Sequence, residues 1–321
     1  MKNKILLLLS FVIIAVSSSG QLLVTEEPAV LKTSVGNVFG TLKVPESKSP
    51  VPLAIFIAGS GPTDRDCNQP TMKSNTFKML SDALFHSGIA TLCYDKRGIA
   101  ESKVNQKEED LRFDDYVNDV RAWVDLLSKD KRFSYITIIG HSEGALIGMI
   151  AAGNNPKVAK YISVAGVADP AAKILREQLT KQLQGQPESV KSMVFAYIDK
   201  LEQGETIPDV PASLNALFRP SVQPYMISWF KYNPQTEIRK LKIPALILQG
   251  TTDIQVGVGQ ADLLATAYPK ARKQIIENMD HVMKTSQTTD MMEQVKNSYN
   301  NPEAPVNKEI IKAIANFIKA N

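Results

Sequence analysis

Short, largely apolar segments alternate with helical segments along most of this chain. The apolar segments 52–58, 89–94, 135–139 and 158–164 are each strand-length and end at turn or polar residues. Residues 113–127 repeat apolar side chains at the three-and-four spacing of one helical face. Strands that are apolar on both faces and separated by helices are typical of a parallel sheet covered on both sides. Right-handed crossovers then bring the loops after the strands to one edge, where functional groups should collect.

Two predicted strands, 30–33 and 38–44, precede this pattern, and the pair Gly36-Asn37 suits the tight turn between them. The alternation resumes late in the chain, at the segments 244–248, 258–267 and 273–277, and it ends with a helix that places Ile310, Ile311, Ile314, Phe317 and Ile318 on one face.

Residues 168–238 interrupt the alternation with helical spacing and several prolines, which predicts a helical insertion lying over the functional edge as a cap. An apolar lid suits an acyl or aromatic group. The same bulky side chains could instead pack the cap onto the core. The insertion's bulky apolar residues include Tyr225 and four that we expect to bind substrate: Phe218, Met226, Trp229 and Phe230.

Residues 1–20 predict a secretory signal peptide, because Lys2 and Lys4 precede an apolar run and small residues end at Gly20. A membrane anchor is the alternative, but the run is short for roughly 30 Å of hydrocarbon. Cleavage would leave a domain of residues 21–321, secreted or periplasmic and not attached to a membrane.

Composition excludes several classes of function. Removing Lys2 and Lys4 with the signal lowers the formal net charge from +4 to +2, which is too small to indicate nucleic acid or a membrane surface as a partner. No Cys-x-x-Cys or Cys/His cluster indicates a metal, and no cofactor is expected. Cys67 and Cys93 could pair in an exported protein, but Cys93 lies in a predicted buried strand, which favours free thiols.

The pentapeptide Gly140-His141-Ser142-Glu143-Gly144 lies between a predicted strand and a helix rich in small residues. This placement is typical of a sharp turn that presents a serine hydroxyl at the sheet edge. The serine takes a strained backbone conformation, and side chains two residues to either side would collide with neighbouring backbone. The alternative is an ordinary strand-to-helix turn, and the placement favours Ser142 as a nucleophile.

A serine nucleophile needs a base, usually histidine, and the chain has three histidines. His86 ends a predicted helix, and His141 is too close to Ser142 in sequence to turn back toward it. His281 follows a predicted strand, at the expected functional edge, and is the candidate base. A surface-loop histidine is the alternative.

The base must be held in the correct tautomer, usually by a carboxylate. Asp253 lies just after a predicted strand, whereas Asp262 lies within a helix and Asp280 is directly beside His281. Asp253 is therefore the candidate, against the alternative of a turn or helix-capping aspartate. The negative charge of an acyl-transfer transition state needs N–H donors. We expect the backbone N–H groups of Glu143 and Ser60, with Gly61 as the alternative to Ser60.

Together these residues resemble the α/β-hydrolase family, and more narrowly its carboxylesterase and serine-aminopeptidase-like branch. Residues 59–66 are similar to the Gly-Ser-Gly-Pro-x-Asp-Arg-Asp loop of such carboxylesterases, and residues 94–102 to a loop of the family. The chain departs from the usual glycines at Cys67 and Ala100. The resemblance implies an α/β-hydrolase fold, with a mostly parallel central sheet, flanking helices and a helical cap. A charge network that fixes these loops is expected from Asp64, Arg65, Asp66 and Arg97.

The leading hypothesis is a serine hydrolase acting on small-molecule carboxylic esters with short acyl or aromatic groups, through Ser142, His281 and Asp253. A serine aminopeptidase is the first alternative, with Glu202 or Glu205 holding the substrate amine. A non-catalytic binding protein on the same fold is the second. The sequence indicates neither the natural substrate nor the oligomeric state.

Overall fold

The computed structural model describes residues 26–320, and the predicted signal peptide therefore lies outside the described residues. These residues form one eight-stranded sheet in the order β1-β2-β4-β3-β5-β6-β7-β8. Strands β3 to β8 run parallel, and the hairpin β1–β2 adds antiparallel strands beside β4. The strands are β1 (Glu26–Thr33), β2 (Gly36–Lys43), β3 (Val51–Ile57), β4 (Ala90–Tyr94), β5 (Phe133–His141), β6 (Val158–Val164), β7 (Ala245–Gly250) and β8 (Arg272–Ile276).

Helices cover both faces of the sheet, which confirms the predicted fold class. The longer helices are α1 (Thr76–His86), α2 (Phe113–Leu127), α3 (Glu143–Ala152), α4 (Ala171–Gln182), α5 (Glu188–Glu202), α7 (Gln223–Phe230), α9 (Val258–Ala267) and α11 (Lys308–Lys319). The short ones are α6 (Asn215–Phe218), α8 (Pro234–Arg239) and α10 (Met291–Gln294), the last continuing into a π-helical turn, Val295–Tyr299. Among the described residues, no helix has both the length and the apolar character to cross a membrane.

Alternation within β3 shows how the sheet separates two cores. Leu53, Ile55 and Ile57 pack with α2, α3 and α9, whereas Ala54 and Phe56 pack with α1 and α11. Side chains of a strand point alternately to opposite faces, so an entirely apolar strand must be buried on both sides. Because β3 to β8 run parallel, the carboxyl ends of β3, β5, β7 and β8 meet at one edge of the sheet. The loops that follow these strands form the candidate site.

The predicted turn at Gly36-Asn37 is wrong. Thr33 pairs with Gly36, so the turn residues are Ser34 and Val35, and Gly36 already belongs to β2. The Thr33 hydroxyl donates to the Gly36 carbonyl oxygen and accepts from the Val35 N–H, which stabilises the turn. Gly36 is needed for a different reason: a side chain there would lie 3.1 Å from Val104 backbone, and its φ is +139°.

Arg65 and Arg97 each tie a loop at the functional edge to a buried carboxylate. Arg65 Nη2 lies 2.6 Å from Asp95 Oδ2, and Arg97 Nε lies 2.5 Å from Asp119 Oδ2. Asp64 instead accepts the N–H of Asp66 within its own turn. Arg65, Arg97 and Asp64 therefore help to fix these loops, but the arginines pair with carboxylates outside the predicted set, and the role of the Asp66 carboxylate stays a prediction.

Cys67 and Ala100, the two positions where this chain departs from the loops it resembles, both have positive φ, at 69° and 47°. This is the conformation that glycine adopts without steric cost, so each substitution carries roughly 1–2 kcal/mol of backbone strain. Cys67 and Cys93 are both buried, and each thiol is free.

Candidate active site

Ser142 occupies the turn between β5 and α3 with φ 55° and ψ −123°, a conformation that L-residues rarely adopt. A Cβ at Gly140 would lie 2.3 Å from the carbonyl oxygen of Gly144, and a Cβ at Gly144 would lie 2.3 Å from that of Ile57. Both distances are far inside van der Waals contact, so only glycine permits this turn. The turn places Ser142, half-buried, at the edge of the sheet.

Asp253 and His281 form a hydrogen bond, with His281 Nδ1 2.9 Å from Asp253 Oδ2. Because a carboxylate accepts, Nδ1 carries the proton and Nε2 keeps its lone pair free for another proton. The other oxygen of Asp253 accepts the backbone N–H groups of Gln255 and Val256, at 2.8 and 2.9 Å. Burial pushes the pKa of Asp253 up, but the charge of His281 and these hydrogen bonds outweigh it and hold the pKa below its usual value.

His141 supports the loop that carries His281. Its Nε2 lies 2.8 Å from the backbone oxygen of His281, and the two ring centroids are 4.8 Å apart. A carbonyl can only accept, so Nε2 carries the proton, while Nδ1 has no partner within residues 26–320. Burial, followed by the charge of His281, lowers the pKa of His141 to about 3. His141 is therefore a neutral packing residue, and His86 lies at the end of α1.

The pKa of His141 predicts a specific loss of stability in acid. An unfolded histidine takes a proton near pH 6.5, so from pH 6.5 down to about 3 the unfolded state binds a proton that the folded state does not. The free energy of unfolding should therefore decrease as the pH is lowered from 6.5 to about 3. His141→Gln should show a smaller fall, measured by urea unfolding at several pH values from 7 to 4. The exposed His86→Gln is the control, and equal slopes for wild type and His141→Gln would contradict the assignment.

The backbone N–H groups of Ser60 and Glu143 both lie beside Ser142. Glu143 is the first residue of α3, and its N–H donates to no acceptor among the described residues; the same holds for the N–H groups of Ser60 and Gly61. A Cβ on Gly59 would lie 3.0 Å from the Cβ of Ser142, so the Gly59–Ser60 peptide is next to the serine. Gly61 instead faces a different cavity, which favours Ser60 over Gly61 as a donor.

Ser142 and His281 line one cavity of about 330 Å³. A volume near 300 Å³ suits a small organic molecule. Within residues 26–320, no Asp or Glu side chain lines this cavity. Its polar lining consists of neutral hydroxyl and amide groups beside the two histidines, and the residues that provide them are Ser60, Thr63, Gln69, Thr71, Gln255, Tyr299 and Asn300.

The four residues expected to bind substrate do not reach this cavity. Phe218 and Met226 are buried in a cluster formed by the insertion itself, and Phe230 packs against that cluster. Trp229 stacks on Phe113 of the core, with ring centroids 6.2 Å apart. These side chains therefore hold the insertion together and onto the core.

The insertion between β6 and β7 contributes to a second cavity, also of about 330 Å³, through Arg219, Val222 and Tyr225. The cavity of Ser142 is bounded instead by loop 67–72 and by the π-helical turn, whose Val295 and Tyr299 line it. No residue of 168–238 lines the cavity of Ser142, so this cavity does not support a cap lying over the serine.

Sequence reasoning missed the polar residues of the cavity wall. Gln69 donates through Nε2 to the Ser60 carbonyl oxygen at 2.7 Å, and Gln255 donates to the Tyr299 hydroxyl at 3.1 Å. Gln255 was within reach of prediction, because it lies two residues after Asp253 in the loop after β7. No local pattern marks Tyr299 or Asn300, which arrive from a distant turn.

Comparisons with known proteins show which proteins this chain resembles. A family model described as serine aminopeptidase, S33, matches residues 71–210, a segment that contains Ser142 and ends before Asp253. Esterase EstD of Thermotoga maritima is 27% identical over 230 residues, covering 70% of this chain and 52% of EstD. The chain thus spans about half the length of that curated relative.

Two solved structures share the architecture over most of both chains. The esterase Pf2001 of Pyrococcus furiosus superposes with a TM-score of 0.58 at 16% identity, covering 92% of this chain and 91% of Pf2001. Est1E of Butyrivibrio proteoclasticus, solved with bound ferulic acid, has a TM-score of 0.58 at 17% identity, covering 91% of this chain and 96% of Est1E. Residues 26–320 therefore have the α/β-hydrolase fold.

Proposed function

We propose that this protein is a serine hydrolase that cleaves neutral, small-molecule carboxylic esters with short acyl or aromatic groups. One observation carries the proposal: Ser142, on a strained turn that only glycines permit, shares a small cavity with a histidine whose Nδ1 is bonded to buried Asp253. The relatives named as esterases support the same chemistry.

In the proposed reaction, Ser142 Oγ attacks the ester carbonyl while His281 Nε2 takes the serine proton. The oxyanion accepts hydrogen bonds from the N–H groups of Ser60 and Glu143. His281 then gives the proton to the departing alcohol, which leaves an acyl group on Ser142. A water molecule, deprotonated by His281, attacks this acyl-enzyme and releases the carboxylic acid. Asp253 orients His281 and stabilises the imidazolium in both halves of the reaction.

The composition of the cavity wall favours an ester over a peptide amine. An aminopeptidase must hold the charged amino terminus of its substrate, and an ammonium taken out of water without a partner is costly. The candidate acids do not supply a partner: Glu202 pairs with Arg176, at 2.5 Å, and neither Glu202 nor Glu205 lines the cavity of Ser142. The neutral amides and hydroxyls there suit an uncharged alcohol or acyl group.

A substrate panel tests this proposal. The purified protein should hydrolyse p-nitrophenyl acetate, butyrate and benzoate much faster than alanine or leucine p-nitroanilide, and a fluorophosphonate probe should label Ser142. Preference for the aminoacyl anilides would favour the aminopeptidase. Failure of both turnover and labelling would favour a non-catalytic binding protein.

We also propose that the protein acts after export, secreted or in a periplasm, on the basis of residues 1–20. Mass spectrometry of the protein recovered from its host should find an amino terminus at Gln21.

A further inference from the structure

Lys96 is a buried lysine in the loop after β4, and the proposed chemistry does not use it directly. Only 4% of the residue is exposed. Its Nζ donates to the carbonyl oxygen of Gly59 at 2.5 Å and lies 3.8 Å from Glu143 Oε2. The ring of Tyr116 lies below the ammonium, 4.8 Å from Nζ to the ring centroid.

The contact with Gly59 acts on a candidate oxyanion donor. The Gly59 carbonyl and the Ser60 N–H belong to one planar trans peptide, so they point in opposite directions and turn together. A cation on the carbonyl oxygen fixes the orientation of the N–H and also polarises it, because hydrogen bonds at the two ends of a peptide strengthen each other.

The contact with Glu143 acts on the other donor. The Glu143 side chain is buried, and its two oxygens face Lys96 and the hydroxyl of Tyr225. Holding this side chain fixes the first turn of α3, which carries the Glu143 N–H. One ammonium group therefore contacts both residues whose backbone N–H groups lie beside Ser142.

Stability alone does not explain this arrangement. Lys43 is buried to the same extent, 4% exposed, but it forms ion pairs with two carboxylates, Asp82 and Glu26. Within the described residues the Lys96 ammonium has one hydrogen bond, to a neutral carbonyl, and the carboxylate nearest to it, that of Glu143, is at 3.8 Å. Burying a charge with so few partners is costly, and burial lowers the pKa of Lys96.

We propose that Lys96 is a positioning residue of the oxyanion hole, which orients the Ser60 and Glu143 N–H donors through the Gly59 carbonyl and the Glu143 carboxylate. This inference rests on the proposed function. The proposed function names the groups that touch the substrate, and this inference adds Lys96 as the residue that sets their geometry.

The test compares Lys96→Met with Lys43→Met, two variants that each remove a buried ammonium and keep most of the side-chain stem. In Lys96→Met, kcat for p-nitrophenyl butyrate should fall by about 10- to 100-fold with KM nearly unchanged, because misplaced donors weaken transition-state binding only. Affinity for a trifluoromethyl ketone, which forms an oxyanion on Ser142, should fall by the same factor. Affinity for the corresponding amide, a ground-state analogue, should stay constant. Lys43→Met should keep the wild-type kcat.

Glu143→Gln provides a second variant that keeps Lys96, the backbone donor and the side-chain volume. It should lower kcat and ketone affinity together, with KM unchanged. Wild-type kcat in either variant, or equal losses of kcat in Lys96→Met and Lys43→Met, would overturn the positioning role. Wild-type protein that neither turns over esters nor reacts with the ketone would instead overturn the proposed function.

Discussion

Ser142→Ala should lower kcat/KM for p-nitrophenyl butyrate by about 10⁴-fold or more, because it removes the atom that forms the acyl-enzyme. Binding and the N–H donors of Ser60 and Glu143 would remain, so a small rate above background should persist. Initial rates and fluorophosphonate labelling measure the two consequences of the change separately. The variant should lose both.

Ser128→Ala is the matched control, since Ser128 is an exposed serine at the end of α2. It should keep wild-type turnover and labelling. Thermal unfolding of both variants checks that folding is intact. Ester turnover by Ser142→Ala at more than a few per cent of wild type would assign the nucleophile elsewhere.

Asp253→Asn should lower kcat by about 10⁴-fold while changing the volume of the side chain very little. The carboxylate accepts from His281 Nδ1 at 2.9 Å. An asparagine amide can instead donate to Nδ1, which favours the tautomer with the proton on Nε2. His281 could then no longer take the proton of Ser142. The expected signature is a loss in kcat with intact substrate binding, measured by steady-state kinetics.

Asp262→Asn provides the control for this change. Asp262 is exposed on α9 and forms an ion pair with Lys273, and surface pairs of this kind contribute little to stability. Its kcat should equal that of wild type. If Asp253→Asn retained more than about a tenth of the wild-type kcat, another group would have to orient His281.

The sequence alone predicted the sheet, its covering helices and the turn that carries Ser142. These features depend on local rules: strands apolar on both faces, helical spacing over residues 113–127, and glycines at 140 and 144. The structure places α2 at Phe113–Leu127, the predicted range, and shows that a Cβ at either glycine would strike backbone. The pairing of His281 with Asp253 could be predicted because each residue follows a parallel strand, and parallel strands end at one edge of the sheet.

Only the tertiary structure determined which residues line the cavity of Ser142 and which residue holds the backbone N–H donors of the candidate oxyanion hole. Tyr299 and Gln69 meet beside Ser142 from distant parts of the chain, and Lys96 reaches Gly59 across 37 residues. No periodicity records such contacts, because they depend on where long loops come to rest. The sequence also cannot show what Trp229 and its apolar neighbours contact, and hydrophobicity alone is the basis for expecting them to bind substrate. Hydrophobicity predicts that a side chain will be buried, whereas only packing determines whether it lies against a ligand or against the protein itself.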